Sequence, residues 1–321
     1  MTTLPTRRAT LALGLVAPAL MRARPARAQT TDFARWLESF RAHARAEGIG
    51  AVGMAALSGL RPNMRVVELD RRQPEGTITW ERYRETRVSD SRIRNGRQAM
   101  AENAETFRRV ASRYGVPSRY VAAIWGMETA YGYVRGDFPV VEALATLAWE
   151  GRRAAYFRGE LVAALRILDR GYIEPPRMKG SWAGAMGQPQ FMPSNVLTLA
   201  VDFDGDGRRD IWENKADVFA SISNYLEKRG AWRAGESWGI EVQAGGVAPS
   251  ESYRAARPIA EWRRAGVRRL DGGALPDGPP AALVSAGYEA FLVSHNHGAF
   301  RSYNNSSYYA LACGLLGDAL G

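Results

Sequence analysis

Residues 181–194 read SWAGAMGQPQFMPS, and residues 202–213 read DFDGDGRRDIWE. The second stretch has the order of a calcium-binding EF-hand loop. Asp202, Asp204 and Asp206 stand at positions 1, 3 and 5, Gly207 at position 6, Asp210 at position 9 and Glu213 at position 12. Alternate carboxylates surround a hard cation, the glycine permits the sharp turn, and a late acidic side chain closes the shell. The alternative is an acidic turn that binds no ion. The first stretch shows no helical or strand period and is dense in Gly, Ser, Gln and aromatic residues. Segments of that kind shape pockets more often than they fill cores.

Helical spacing dominates the rest of the chain. Phe33, Trp36, Leu37 and Phe40 mark one helix. Residues 98–114 read as one amphipathic helix stopped by Gly115 and Pro117, and residues 118–131 as another ended by Gly132. Residues 140–149, 153–170, 215–229 and 308–320 also carry helical spacing, and His295 and His297 fall in a loop-like stretch. Between about 232 and 297 the character shifts to Gly, Pro and short alternating runs, which predicts a small irregular or strand-containing subdomain. The predicted class is mainly α with some β (α+β): a helical core over about 32–231 and 298–321, with the smaller unit between them.

The 321 residues are 46% hydrophobic and 24% charged, as expected of a globular protein. Arg7 and Arg8 precede an apolar run from Ala9 to Leu20, followed by the small-x-small triplet Ala26-Arg27-Ala28. Residues 1–28 therefore read as a secretory signal peptide, with a twin-arginine route open, and the run is too short to span a bilayer. That segment holds five arginines and no acid, so its removal takes the net charge from +10 to about +5. Such a balance is no footprint of a nucleic-acid binder; it suits an anionic polymer outside the cytoplasm, and equally plain solubility in an arginine-rich proteome. The single cysteine, Cys313, sits in an apolar helical pattern and can form no internal disulfide. No cysteine follows the apolar run as a lipid anchor, and three scattered histidines make no zinc site.

Glu128 is the sharpest single residue. On a helix over 118–131 it shares a face with Val121, Ile124 and Trp125. A glutamate on an apolar face is either paired with an arginine or desolvated, and desolvation raises a carboxyl pKa toward that of a working general acid. The acid of lysozyme, set against a tryptophan, is the handy precedent. Ordinary glycoside hydrolysis needs a second carboxylate. Asp137 and Glu142 are the nearest downstream candidates. Gly132 and Gly136 interrupt the helix before them, so neither is in register with Glu128.

WGMETAYG around Glu128, ALATLAWEGRRAAYFRGEL at 143–161, GSWAGAMGQPQFMPS at 180–194, VDFDGDGRRDIW at 201–212, SNYLEKRG at 223–230 and YNNSSYYALA at 303–312 follow one another in order. Together they resemble the lytic murein transglycosylase B family, peptidoglycan-cleaving enzymes with a lysozyme-like core, over roughly residues 32–321. The resemblance implies that Glu128 is a single catalytic acid and then base, cutting the β-1,4 bond between N-acetylmuramic acid and N-acetylglucosamine to leave a 1,6-anhydro end. It implies substrate contacts by Ser181, Gln190, Tyr225, Tyr303, Asn304 and Tyr309, with Tyr308 structural; the residues alone leave loop capping open for Ser181 and Gln190 and core packing for Tyr225. Arg152 and Arg153 match an arginine pair of the family, for peptide or carboxylate contact or as partners of buried carboxylates. The family's loop is a variant whose closing aspartate comes late. The expected set is thus Asp202, Asp204, Asp206 and the Arg208 carbonyl, with Asp217 and Glu213 as competing closers and Asp210 direct or through water. A structural Ca2+, no organic cofactor, a periplasmic monomer and peptidoglycan strands as partner complete the expectation. The competing readings are a water-using muramidase and a non-catalytic, calcium-stabilised glycan-binding protein.

Overall fold

The structure is a computed structural model and describes residues 26–72, 78–250 and 255–321. The predicted signal segment lies outside the described residues up to position 25; the first helix, Ala26–Ala46, begins at the predicted cleavage triplet.

Two helical cores meet along the site. The first is built on helix Ser118–Thr129, where nine residues including Tyr120, Val121, Ile124 and Trp125 are buried. Helix Ser307–Leu320 packs against it, with Tyr309, Cys313 and Leu316 inward. Trp125 meets Phe219 and Tyr131 edge-on at 5.0 and 5.5 Å, and each such buried aromatic contributes about 1.5–3 kcal/mol by burial. The second core joins helices Val140–Glu150 and Ala154–Asp169 to the first helix through Leu144, Leu161, Leu165, Phe33 and Leu37. Helix Lys215–Lys228 links the two, giving Phe219 and Ile222 to the first core and Tyr225 to the second. Tyr303 packs against both.

A four-stranded antiparallel sheet takes the order Arg268–Arg269, Gly239–Gln243, Glu289–Val293, Ala282–Ala286. Its alternation is visible in the burial. Phe291 and Val293 face the first helical core, while Leu292 and Leu283 face a small third core around Trp262. Strands Ala282–Ala286 and Glu289–Val293 join through Gly287-Tyr288, with Gly287 at φ +54, the conformation that a tight two-residue hairpin asks of its first central residue. Helix Trp80–Arg87 is tied to this sheet: Trp80 Nε1 donates to Glu289 at 2.6 Å and Arg84 grips Glu241 with two bonds.

Three sequence expectations are corrected. The stretch 98–114 is two helices, Asp90–Glu102 and Ala104–Tyr114. At the break, Asn103 Nδ2 donates back to the Ala99 carbonyl, the local side-chain bond by which Asn competes with helix continuation. The helix read over 118–131 ends at Thr129. Ala130 and Tyr131 turn left-handed at φ 48 and 63, and Thr129 Oγ1 accepts from Gly132 N. His295 and His297 begin a helix, His295–Tyr303, rather than a loop; His297 is buried and His295 Nε2 bonds the Ala231 carbonyl. Cys313 is a buried free thiol, as read from its pattern.

Candidate active site

Glu128 is the penultimate residue of its helix, placed by the burial of Val121, Ile124 and Trp125 on the same side. It keeps some surface, yet its carboxyl group is densely surrounded. Burial pushes its pKa from the ordinary 4.5 to about 7, against the opposing pull of a Tyr309 hydrogen bond and the Arg87 charge. The Tyr309 hydroxyl donates to Glu128 Oε1 at 2.6 Å. Among the described residues, none of the groups acting on the carboxyl is a second acid. Asp137 is exposed on the following turn, and Glu142 accepts from Asn63 Nδ2 at 2.8 Å instead. The arginine-paired alternative for Glu128 does not hold among the described residues, where its partner is a tyrosine. A carboxyl so placed exchanges a proton near neutral pH.

Tyr309 is fixed by the start of helix Ser307–Leu320, where Ser306 Oγ accepts from its backbone N–H. Its ring lies 6.5 Å from Tyr303 and nearly parallel to it. Tyr303 donates to the Pro189 carbonyl at 2.7 Å, and Tyr225 to the Ser302 carbonyl at 2.6 Å, with the two rings 4.6 Å apart. Three of the expected tyrosines thus form one wall, stitched to the 180–191 loop. Tyr308 points elsewhere, onto Trp80 and Tyr83. Asn304 is exposed at the end of helix His295–Tyr303.

The loop itself is brought to Glu128 by a short bridge. Phe138–Pro139, just past the turn after the helix, pairs with Lys179–Gly180. Gly136 makes this approach possible: at φ +82, an added Cβ would lie 2.2 Å from the Gly180 carbonyl oxygen. Ser181 Oγ accepts from Ala185 N at 3.1 Å. Gln190 sits at φ +50 and donates to the carbonyls of Arg135 and Gly187. The structure thus uses both side chains to shape the loop.

Sequence reasoning missed Gln188. It is fully buried, accepts from Trp125 Nε1 at 2.9 Å and Lys215 Nζ at 2.7 Å, and donates to the Trp212 carbonyl. It locks the pocket loop to the helix of Glu128 and to the acidic loop. Only its place two residues before Gln190 hinted at this. Tyr83 and Arg87 were missed as well; both lie within electrostatic reach of Glu128, from a helix distant in sequence. Arg152 and Arg153 form ion pairs with the buried Asp70 at 2.9 and 2.8 Å, which is the carboxylate-partner alternative. Their guanidinium bonds keep Asp70 ionised against its burial.

In the acidic loop, carboxylate oxygens of Asp202, Asp204 and Asp217 converge within 4.8 Å of one another. Asp217 is fully buried and held by the N–H groups of Phe203 and Asp210. Burial, then the neighbouring Asp204 and Asp202, raise its pKa to about 6. Three converging carboxylates are the chemistry of a hard-cation site, so the residues fit calcium. Glu213, at standard position 12, turns away to Arg135 at 2.7 Å. Asp206 accepts from Arg208 N, and Asp210 caps the backbone of Trp212 and Glu213. Of the two competing closers, the geometry brings Asp217 to the cluster.

A family model described as a transglycosylase SLT domain matches residues 32–318. The chain belongs to this lytic transglycosylase family. Membrane-bound lytic murein transglycosylase B of Escherichia coli K12 is 34% identical over 258 residues, 75% of this chain and 67% of that protein. SltB3 of Pseudomonas aeruginosa, solved with NAG-anhNAM-pentapeptide, is 44% identical with a TM-score of 0.86, over 90% of this chain and 79% of its own. The Escherichia coli lytic transglycosylase SLT35, solved with calcium, is 30% identical with a TM-score of 0.74, over 91% and 93%. This transglycosylase therefore shares their lysozyme-like, mainly α plus β fold. No helix among its described residues is long and apolar enough to cross a membrane.

Proposed function

We propose that this lytic transglycosylase cuts peptidoglycan strands between N-acetylmuramic acid and N-acetylglucosamine with Glu128 as its single acid and base. The supporting observation is a carboxyl group with a pKa near 7, bonded to Tyr309 and, among the described residues, without a second acid acting on it. Glu128 starts protonated and gives its proton to the glycosidic oxygen as the bond to C1 breaks. The carboxylate so formed takes the proton of the C6 hydroxyl of the same muramic ring, and that oxygen closes on C1. Glu128 ends protonated, the leaving sugar gains a hydroxyl group, and no water is consumed. Ring closure within one sugar is favoured by proximity. The Tyr309 bond stabilises the intermediate carboxylate. Tyr303, Tyr225, Ser181, Gln190 and Asn304 line the sugar path, where aromatic faces and amides suit N-acetylated rings.

Asp202, Asp204 and Asp217 would hold calcium, with Asp206, Asp210 and the Arg208 carbonyl nearby; the ion supplies positive charge that pins the loop behind Gln188. Residues 1–28 would direct export to the periplasm.

Mass spectrometry of digested sacculi tests the reaction. The products are expected to be anhydro ends, lighter by one water than reducing ends; reducing ends alone would make the enzyme a muramidase. A second test uses pH. Activity should fall on the alkaline side with an apparent pKa near 7, as Glu128 loses its proton. Tyr309→Phe removes a bond that holds that pKa down. Its alkaline limb should therefore move to higher pH, and kcat/KM should drop on the order of tenfold. An unmoved limb would detach Tyr309 from the proton.

A further inference from the structure

Helix Ser118–Thr129 has a second furnished side. Gly126 lies about 200° around the helix from Glu128. Helix Asp90–Glu102 packs on that side, where Arg92 donates to the Gly126 carbonyl. The turn after Thr129 folds back into the same seam. Tyr131, left-handed at φ 63, donates to the Arg92 carbonyl at 2.9 Å. Its ring fills the space left by two glycines: a Cβ at Gly96 would lie 2.3 Å from the Tyr131 hydroxyl oxygen, and one at Gly126 2.6 Å from the ring. Between helix Asp90–Glu102 and this turn opens a cavity of about 500 Å³. The helix contributes Asn95, Gln98 and Glu102, with Asn103 just beyond it, and the turn contributes Tyr131 and Tyr133. Trp125 and Lys215 also line it.

Tyr133 is 91% exposed. An exposed ring alone is ordinary on a protein surface; this one borders a cavity whose polar groups are mostly amides. The Asn95 amide and the Tyr133 hydroxyl have no partner among the described residues. Lys215 Nζ donates to Gln188 at 2.7 Å and stands 4.9 Å over the Trp125 ring, which leaves donors for the cavity. Lys215 is balanced by Glu102, so the lining favours neither an acidic nor a basic ligand. Neutral amides beside an open aromatic face suit a sugar: its hydroxyl and acetamido groups bond the amides, and its C–H face packs on the ring. The volume falls within the range of about 300–1,000 Å³ usual for small-ligand sites. We propose that this cavity is an accessory glycan-binding site for N-acetylated sugar rings, with Tyr133 as the stacking face and Asn95 as an amide contact. It holds the enzyme on the polymer while Glu128 works on the other side of the same helix. The site goes beyond the proposed reaction and does not depend on the role given to Glu128.

The test measures co-sedimentation with purified sacculi in a Glu128→Gln background, so that the polymer survives the assay. Tyr133→Ala should weaken binding about tenfold, and Asn95→Ala about threefold. Tyr133→Phe keeps the ring and should bind nearly as the parent does. Tyr288→Ala is the control, since Tyr288 is a fully exposed tyrosine at the hairpin tip, outside the cavity; its binding should not change. With Glu128 restored, Tyr133→Ala should dissolve sacculi more slowly at limiting enzyme and cleave a soluble, peptide-free tetrasaccharide of alternating N-acetylglucosamine and N-acetylmuramic acid at the parent rate. Undiminished sacculus binding by Tyr133→Ala overturns the proposal, as does an equal drop in Tyr288→Ala. A matching loss on the tetrasaccharide also overturns it, because Tyr133 would then belong to the cleft of Glu128. Failure of the proposed reaction looks different: wild type would yield reducing ends while sacculus binding still depended on Tyr133.

Discussion

Glu128→Gln should release anhydro products at least about 10³-fold more slowly than wild type, because one side chain supplies both proton transfers. Glutamine has nearly the same shape and still accepts from Tyr309, so the fold should survive. Stability gives an independent reading. The folded pKa is raised, from 4.5 to about 7. Between these values the folded protein binds a proton that the unfolded chain has lost, so stability falls as pH rises through this window and levels off above it. Glutamine has no such loss. The variant should therefore match wild type near pH 4 and exceed it above pH 7 by about 1–3 kcal/mol, read from melting curves. Near-wild-type turnover, or a stability difference that ignores pH, would deprive Glu128 of its assigned role.

Calcium should raise the melting temperature, and a chelator should reverse it. A ligand at one hundred times its Kd stabilises by about 2.7 kcal/mol. For a chain of this size that amounts to about 5 °C. Asp217→Asn should abolish most of the response, since Asp217 joins Asp202 and Asp204. Glu213→Gln should leave it largely intact, because Glu213 is engaged by Arg135. The reverse ranking would mean that standard position 12 closes the shell. A melting curve indifferent to calcium in wild type would show the loop to be an acidic turn only. Direct calcium titration gives the stoichiometry without recourse to activity.

The legible and illegible parts of the site differ in a consistent way. Glu128 was legible because helical period is local: Val121, Ile124 and Trp125 announce which face it shares. Tyr308 and Tyr309 were told apart only by the resemblance, and the structure sends one to Trp80 and the other to Glu128. Gln188 looked like any polar loop residue. Its three bonds reach Trp125, Trp212 and Lys215, which no spacing connects. The break at Asn103 was hidden because a continuous amphipathic pattern outweighs a single side-chain bond in a sequence reading. Arg152 and Arg153 had two possible partners, and Asp70, some eighty residues earlier, decided for one.

The amino-acid order alone determined the helical architecture, the change to strands after residue 232, the solitary acid and the acidic loop, because each depends on periods and spacings a few residues long. Tertiary structure decided the raised pKa of Glu128, its tyrosine partner and the place of Asp217, rather than Glu213, beside Asp202 and Asp204. Those depend on desolvation and on charges that meet only when distant segments pack, and a linear pattern carries no measure of either.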